Sequence, residues 1–195
     1  MSEAWHRVAQ VASDRFLAEG YAGVSLRALG DALGMKPASL YHHCPGGKSE
    51  LFVRAVTWRL DRVSAEVRRA GVGAPDLEAA FGAMADALLD APLVDLQRLM
   101  SVDLQRLRSE TDRAAVSEAA HAALLGPFAE AVAAAQASRA ARPEPAAGLV
   151  AAAAVAIVTN LGQLHLSLAG ADARPAISAQ VRAALGLLAR GLAPH

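Results

Sequence analysis

The chain has 195 residues, room for one ordinary domain or for two small ones that share a core. Lysine plus arginine and aspartate plus glutamate number 19 each, which excludes bulk basicity toward nucleic acid but not a local basic patch. Hydrophobic residues make up 54% and aromatics 4%, alanine supplies much of the apolar fraction, and the strand formers never alternate, so most of the chain is expected to be ordered and the protein all-α.

In chain order, the first helix is expected over residues 2–19, where Val8, Ala9, Ala12 and Phe16 make one apolar stripe. Gly20 stands where a helix end wants a residue tolerant of positive φ. Ser25 is placed as the N-cap of a second short helix, with Leu26, Leu29 and Leu33 on one face and Gly34 at its end. Pro37 suits the first turn of a third helix, which runs to about His43 before Pro45, Gly46 and Gly47 stop it. A long helix is expected over about 48–70, its inner edge marked loosely by Leu51, Ala55, Trp58, Arg62 and Ala65. Gly71, Gly73 and Pro75 break the chain, and further helices are expected at about 76–90, 92–108, 112–125, 127–140, 144–169 and 173–192. Pro75, Pro92 and Pro127 read as helix starts, Ser109 and Thr111 as caps, and Arg142 to Pro145 as a turn.

Val-Asp-Leu-Gln-Arg-Leu occurs at 94–99 and again at 102–107. On a helix the copies lie about 80° apart, so they read as chance or a slipped duplication and not as a repeat architecture. Residues 148–168 carry no charged side chain, but Thr159, Asn160, Gln163 and His165 interrupt them and argue against a membrane span. Two stripes run along this segment. Val150, Ala154, Ile157, Leu161, Leu164 and Leu168 form one, and Ala151, Val155, Val158 and Gly162 form the other. The last helix adds Ile177, Val181, Leu185, Leu188 and Leu192. A helix apolar on two sides needs cover on two sides, either from the chain's own core or from a second copy. The dimer is the reading favoured here, with Val155, Val158, Gly162, Val181, Leu185 and Leu188 at the interface.

Residues 24–43, VSLRALGDALGMKPASLYHH, place two short helices around a turn at Leu33-Gly34-Met35. That is the shape of a helix-turn-helix, whose second helix can enter a DNA major groove. Arg27 can reach a phosphate or a guanine edge, or can be a solvated surface arginine. Lys36 opens the third helix and points outward, and Pro37, Ala38 and Ser39 form the first turn, the part that approaches bases. Ala38 suits a thymine methyl and Ser39 a base or a phosphate. Tyr41, His42 and His43 carry short donors suited to phosphate oxygens. Lys48 adds charge at the start of the long helix.

Residues 5–56 resemble the TetR family of bacterial repressors, through Phe16, Gly20-Tyr21, Ser25-Leu26-Arg27, Leu29, Gly34, Ser39-Leu40-Tyr41, His43 and Lys48. The chain departs from the family pattern at Cys44, where the common form has an aromatic, and in a loop one residue longer through Gly46-Gly47. Cys44 is the only cysteine, so neither an intrachain disulfide nor a cysteine zinc site is available, and it reads as a small packing thiol or a redox sensor. The resemblance implies an N-terminal three-helix DNA-binding domain, 1–47, linked by helix 48–70 to a C-terminal ligand-binding and dimerisation domain, 48–195. It implies a repressor bound as a homodimer to a pseudo-palindromic operator and released by a small molecule. The alternative is a constitutive repressor without ligand control.

Charge counting agrees in part. Residues 1–70 carry a net +3 and 71–195 a net −3, yet 1–51 balance, so Glu3, Asp14, Glu19 and Asp31 are expected to turn away from DNA. The ligand is expected to be largely apolar, with Phe81, Met84, Met100, Leu104, His121, Phe128, Asn160, Gln163 and His165 as candidate contacts. No enzyme is expected. Glu118 and His121 form one half of a di-iron motif that lacks its second half, and no phosphate loop or nucleophile elbow occurs. No cofactor or metal is expected. The opening residues do not read as a signal peptide, and the expected location is the cytoplasm.

Overall fold

The structure is a computed structural model. It describes residues 3–91, 98–169 and 174–194, without the side chains of 37–38 and 162–169. The described residues contain helices and no strand. They are α1 (Glu3–Gly23), α2 (Leu26–Leu33), α3 (Pro37–His43), α4 (Gly47–Gly71), α5 (Leu77–Asp90), α6 (Glu110–Ala137), α7 (Ala147–Ala169) and α8 (Arg174–Arg190). Between α5 and α6 lie a π-helical turn, Leu99–Asp103, and a 3-10 turn, Leu104–Arg106.

Two compact units divide the chain, and it passes through each twice. The first is Met1–Arg62 with Pro92–Ala120; the second is Val63–Ala91 with His121–His195. Two of the boundaries fall inside α4 and α6, and the third follows α5.

In the first unit the expected stripe of α1 is the buried one: Val8, Ala9, Ala12 and Phe16 are all inside, joined by Trp5 and Leu17. Gly20 takes φ 75 and ψ 168, a conformation essentially confined to glycine, so α1 kinks there before its last turn. The Ser25 side chain accepts from the Ala28 amide at 3.1 Å, which starts α2. Gly34 ends α2 in the left-handed region, φ 64, and Pro37 opens α3. Leu29, Leu33 and Leu40 close the two short helices onto each other.

The inner face of α4 differs from the expected edge. Leu51, Ala55 and Trp58 are buried, but Arg62 and Ala65 are exposed. Val56, Leu60, Val63 and Val67 take the inward positions, spaced by four, three and four residues. The branched aliphatics thus win the phase over a stripe drawn through an arginine.

The second unit packs α5, α7 and α8 together. Phe81 of α5 meets Phe128 of α6 with ring centroids 5.5 Å apart. Three arginines of α8, Arg174, Arg182 and Arg190, pair with Asp90, Asp86 and Glu78 of α5. Such partly exposed pairs set register more than they stabilise. At the turn before α7, the Gln136 side-chain amide donates to the carbonyls of Arg142, Pro143 and Pro145.

Four expected helices are corrected. Residues 112–125 and 127–140 are not two helices but one, α6, with Pro127 inside it. Proline there costs about 3 kcal/mol through a missing hydrogen bond and a ring clash. Ala123, Leu124, Pro127, Phe128 and Val132 are all buried around it, and that packing outweighs the break. Helix 92–108 is replaced, where described, by the π and 3-10 turns; the rest of it, with most of the first hexapeptide copy, lies outside the described residues. The helix expected from 144 starts at Ala147, since Glu144, as the residue before Pro145, is pushed away from helical dihedrals.

Candidate nucleic-acid interface

The short helix α3 has an inner and an outer side. Leu40 is buried, whereas Lys36, Tyr41 and His42 are exposed, Tyr41 by 51%. Ser39 and His43 are half-buried, and Arg27 of α2 is exposed. The side chains of Pro37 and Ala38 lie outside the described residues. Of the acids expected to turn away, Asp14 is paired with Arg59 and Glu19 with Arg15, while Glu3 and Asp31 are exposed.

The far end of α3 is held by Arg54, a residue the sequence reading passed over. Its guanidinium lies 3.9 Å over the Trp5 ring and donates to the His43 carbonyl oxygen. It also reaches Glu50 Oε1 at 3.3 Å and Cys44 Sγ at 3.8 Å. A cation at a helix C-terminus completes carbonyls that lack an intrahelical donor. The one sequence signal for it is the Glu50–Arg54 spacing of four.

Cys44 is buried just past α3. Burial raises its thiol pKa, opposed by the nearby Arg54 charge, so the sulfur is a protonated packing group at neutral pH. That supports the packing reading over the sensor.

At the start of α4, the Gly46 amide donates to Glu50 Oε2 at 2.7 Å and the Gly47 amide to the Cys44 carbonyl at 2.9 Å. The two glycine amides of the lengthened loop are therefore already occupied. Lys48 stands with its ammonium 4.6 Å from the centre of the Tyr21 ring. Partial burial lowers the Lys48 pKa, and the positive charge of Arg106 lowers it further.

Tyr21 is a hub. Its ring meets Phe52 edge-on at 5.1 Å, and its hydroxyl shares a 2.8 Å hydrogen bond with Ser49. Its backbone amide donates to Asp103 Oδ1 at 2.8 Å. Asp103 is 3% exposed and also accepts from Arg98 Nε. Arg98 in turn donates to the carbonyls of Phe16, Leu17 and Ala18 at the kinked end of α1. Neither Arg98 nor Asp103 stood out in the sequence, because their partners lie about eighty residues away.

The candidate ligand contacts are distributed over both units. Phe81, Met84 and Phe128 are buried in the second unit, but Met100 and Leu104 belong to the first. His121 and Asn160 are exposed, and Asn160 donates to its own helix at the Ala156 carbonyl. The side chains of Gln163 and His165 lie outside the described residues, as does Gly162 of the expected interface. Val155, Val158, Val181 and Leu185 are already buried within the single chain, and Leu188 is half-buried. Among the described residues no group of three or more His, Cys, Asp or Glu is arranged to hold a metal.

The fold and the α2–α3 pair are those of a helix-turn-helix protein. The sequence model described as bacterial regulatory proteins, tetR family, matches residues 10–55. Solved structures match the fold along nearly the whole chain. A protein assigned to the tetR family of transcriptional regulators from Mesorhizobium loti is 16% identical, with TM-score 0.81 and full coverage of both chains (100% each). A tetR-family transcriptional regulator from Cytophaga hutchinsonii is 17% identical, with TM-score 0.78 and coverage of 100% of this chain and 98% of that one. The fatty acid degradation regulator FadR from Bacillus halodurans is 13% identical, with TM-score 0.74 and coverage of 95% and 96%. No curated protein matches the sequence. Over residues 10–55 the chain is similar to the tetR family, and along its length it has the fold of these solved transcriptional regulators.

Proposed function

We propose that the protein is a repressor that binds a pseudo-palindromic operator as a homodimer and is released by a small, largely apolar molecule. The observation that carries the reading is the sidedness of α3. Leu40 fastens it to α2 and Arg54 fixes its end, while Lys36, Tyr41 and His42 face outward. A rigid helix presenting polar donors is what a major groove accepts, and two of them related by a dyad would sit about 34–36 Å apart. Arg27, Ser39 and His43 would serve the same surface, with Pro37 and Ala38 in its leading turn. With the Gly46 and Gly47 amides occupied, the phosphate contact at α4 falls to the Lys48 side chain.

Ligand control would fall to the second unit. Phe81, Met84 and Phe128 supply an apolar cluster in the second unit, and a ligand entering it would have to displace packed side chains. A ligand that tilts α4 acts only by binding the DNA-incompetent state more tightly. The competing reading, a constitutive repressor, is favoured if no compound in a broad screen shifts operator affinity.

The test is footprinting of the purified protein on the DNA flanking its own gene. We expect protection of an inverted repeat with half-sites one helical turn or more apart. Tyr41→Ala should weaken that binding about tenfold, the effect of losing roughly 1.4 kcal/mol, while leaving the helical signal intact. Equal affinity for flanking and random duplex would overturn the proposal.

A further inference from the structure

We propose that Arg106, from the turn between α5 and α6, joins Lys48 in holding one backbone phosphate of duplex DNA. Nothing about residues 104–106 suggests this in the sequence, since they lie outside the helix-turn-helix and far beyond the family match.

The placement rests on a chain of contacts within the first unit. The Lys48 ammonium lies over the Tyr21 ring, and the Tyr21 amide is bonded to Asp103. Asp103 immediately precedes the 3-10 turn Leu104–Arg106, and Leu104 is buried beside it. The turn is thus anchored at its first residues, and Arg106 is exposed at its end, near enough for its charge to be felt at Lys48.

The surrounding acids do not neutralise this pair. Asp103 is engaged by Arg98 and the Tyr21 amide, and Glu50 by Arg54 and the Gly46 amide. Among the described residues neither Lys48 nor Arg106 has a carboxylate partner. Two cations held together without an anion repel each other, and an anion between them reverses the sign of the interaction. The edge also adjoins the start of α4, just beyond α3, so the anion it meets when α3 enters a groove is the sugar–phosphate backbone.

This inference rests on the DNA-binding reading, and the experiment separates the two. Binding to a labelled random-sequence duplex is measured by fluorescence anisotropy between about 50 and 200 mM salt, for wild type, Lys48→Gln, Arg106→Gln, Arg106→Lys and Arg69→Gln. Each lost phosphate contact lowers the slope of log affinity against log salt by about 0.9. We expect Arg106→Gln to lose that amount and to weaken random and specific duplexes by the same factor. Arg106→Lys should keep the slope, and Arg69→Gln, a charge removed from the second unit, should match wild type. If Arg106→Gln keeps the full slope while Lys48→Gln loses it, the assignment of Arg106 is wrong and the DNA reading stands. If the wild type shows no salt-dependent duplex binding, both are wrong.

Discussion

At the scale of single residues, Gly20 combines two demands. Its backbone lies at φ 75, and a Cβ built there would come within 3.1 Å of Asp103 Oδ1. Gly20→Ala should therefore strain the backbone and press on the carboxylate that holds Tyr21. We expect a loss of about 1–3 kcal/mol in urea unfolding; an unchanged midpoint would mean that the kink relaxes freely. Cys44 offers a second check. Burial and a raised pKa leave little thiolate at neutral pH, so a thiol reagent at pH 7 to 8 should label the native protein slowly and the urea-unfolded protein at once. Rapid native labelling would reopen the sensor reading. Both residues were visible in the sequence as a positive-φ position and a substituted aromatic, but what surrounds them was not.

At the scale of elements, legibility followed the range of the interactions. The turn between α2 and α3 was readable because Ser25, Gly34 and Pro37 act on their own neighbours. Helix α6 was misread at Pro127 because a local breaker is outweighed by burial that the local sequence does not display. The Arg98–Asp103 clasp was invisible, since each of its partners is supplied by α1 or the turn after its kink. In the second unit, Arg68 of α4 grips Glu130 of α6 through two hydrogen bonds, 2.7 and 2.9 Å. Those bonds, with the Arg68 charge and against a small burial cost, hold the Glu130 pKa below its usual value. A depressed folded pKa stabilises above the unfolded value, about 4.3, and that contribution is lost as the pH falls through the folded one. The pair is well exposed, so the effect is small. We expect the urea midpoint of wild type to exceed that of Glu130→Gln at pH 7 and the gap to close below about pH 4. A gap that persists unchanged in acid would assign it to packing.

At the scale of the molecule, the same apolar side chains of α7 and α8 cannot serve both a chain's own core and a second copy. Val155, Val158, Val181 and Leu185 serve the unit's own core. A pairing surface on these helices must use side chains that the single chain leaves outside, and among the described residues Leu149 and Leu187, 65% and 69% exposed, are large ones of α7 and α8. Single exposed leucines are ordinary, so the question is experimental. If α7 and α8 pair two copies, Leu187→Glu should shift the mass measured by light scattering from two chains toward one, with the helical signal retained. A mass that does not respond would place any pairing elsewhere. No helix among the described residues is long and apolar enough to cross a membrane.

The way the chain re-enters its first unit at Pro92–Ala120 bears on how this protein can be cut and recombined. Severing it in the Gly71–Pro75 break would release the N-terminal helices without Asp103 or Arg98. The Tyr21 amide and the three carbonyls at the end of α1 would then be stripped of their partners. Chimeras that transplant the N-terminal helices onto another protein must carry the distant turn with them, as an inserted passenger and not as a simple N-terminal fusion.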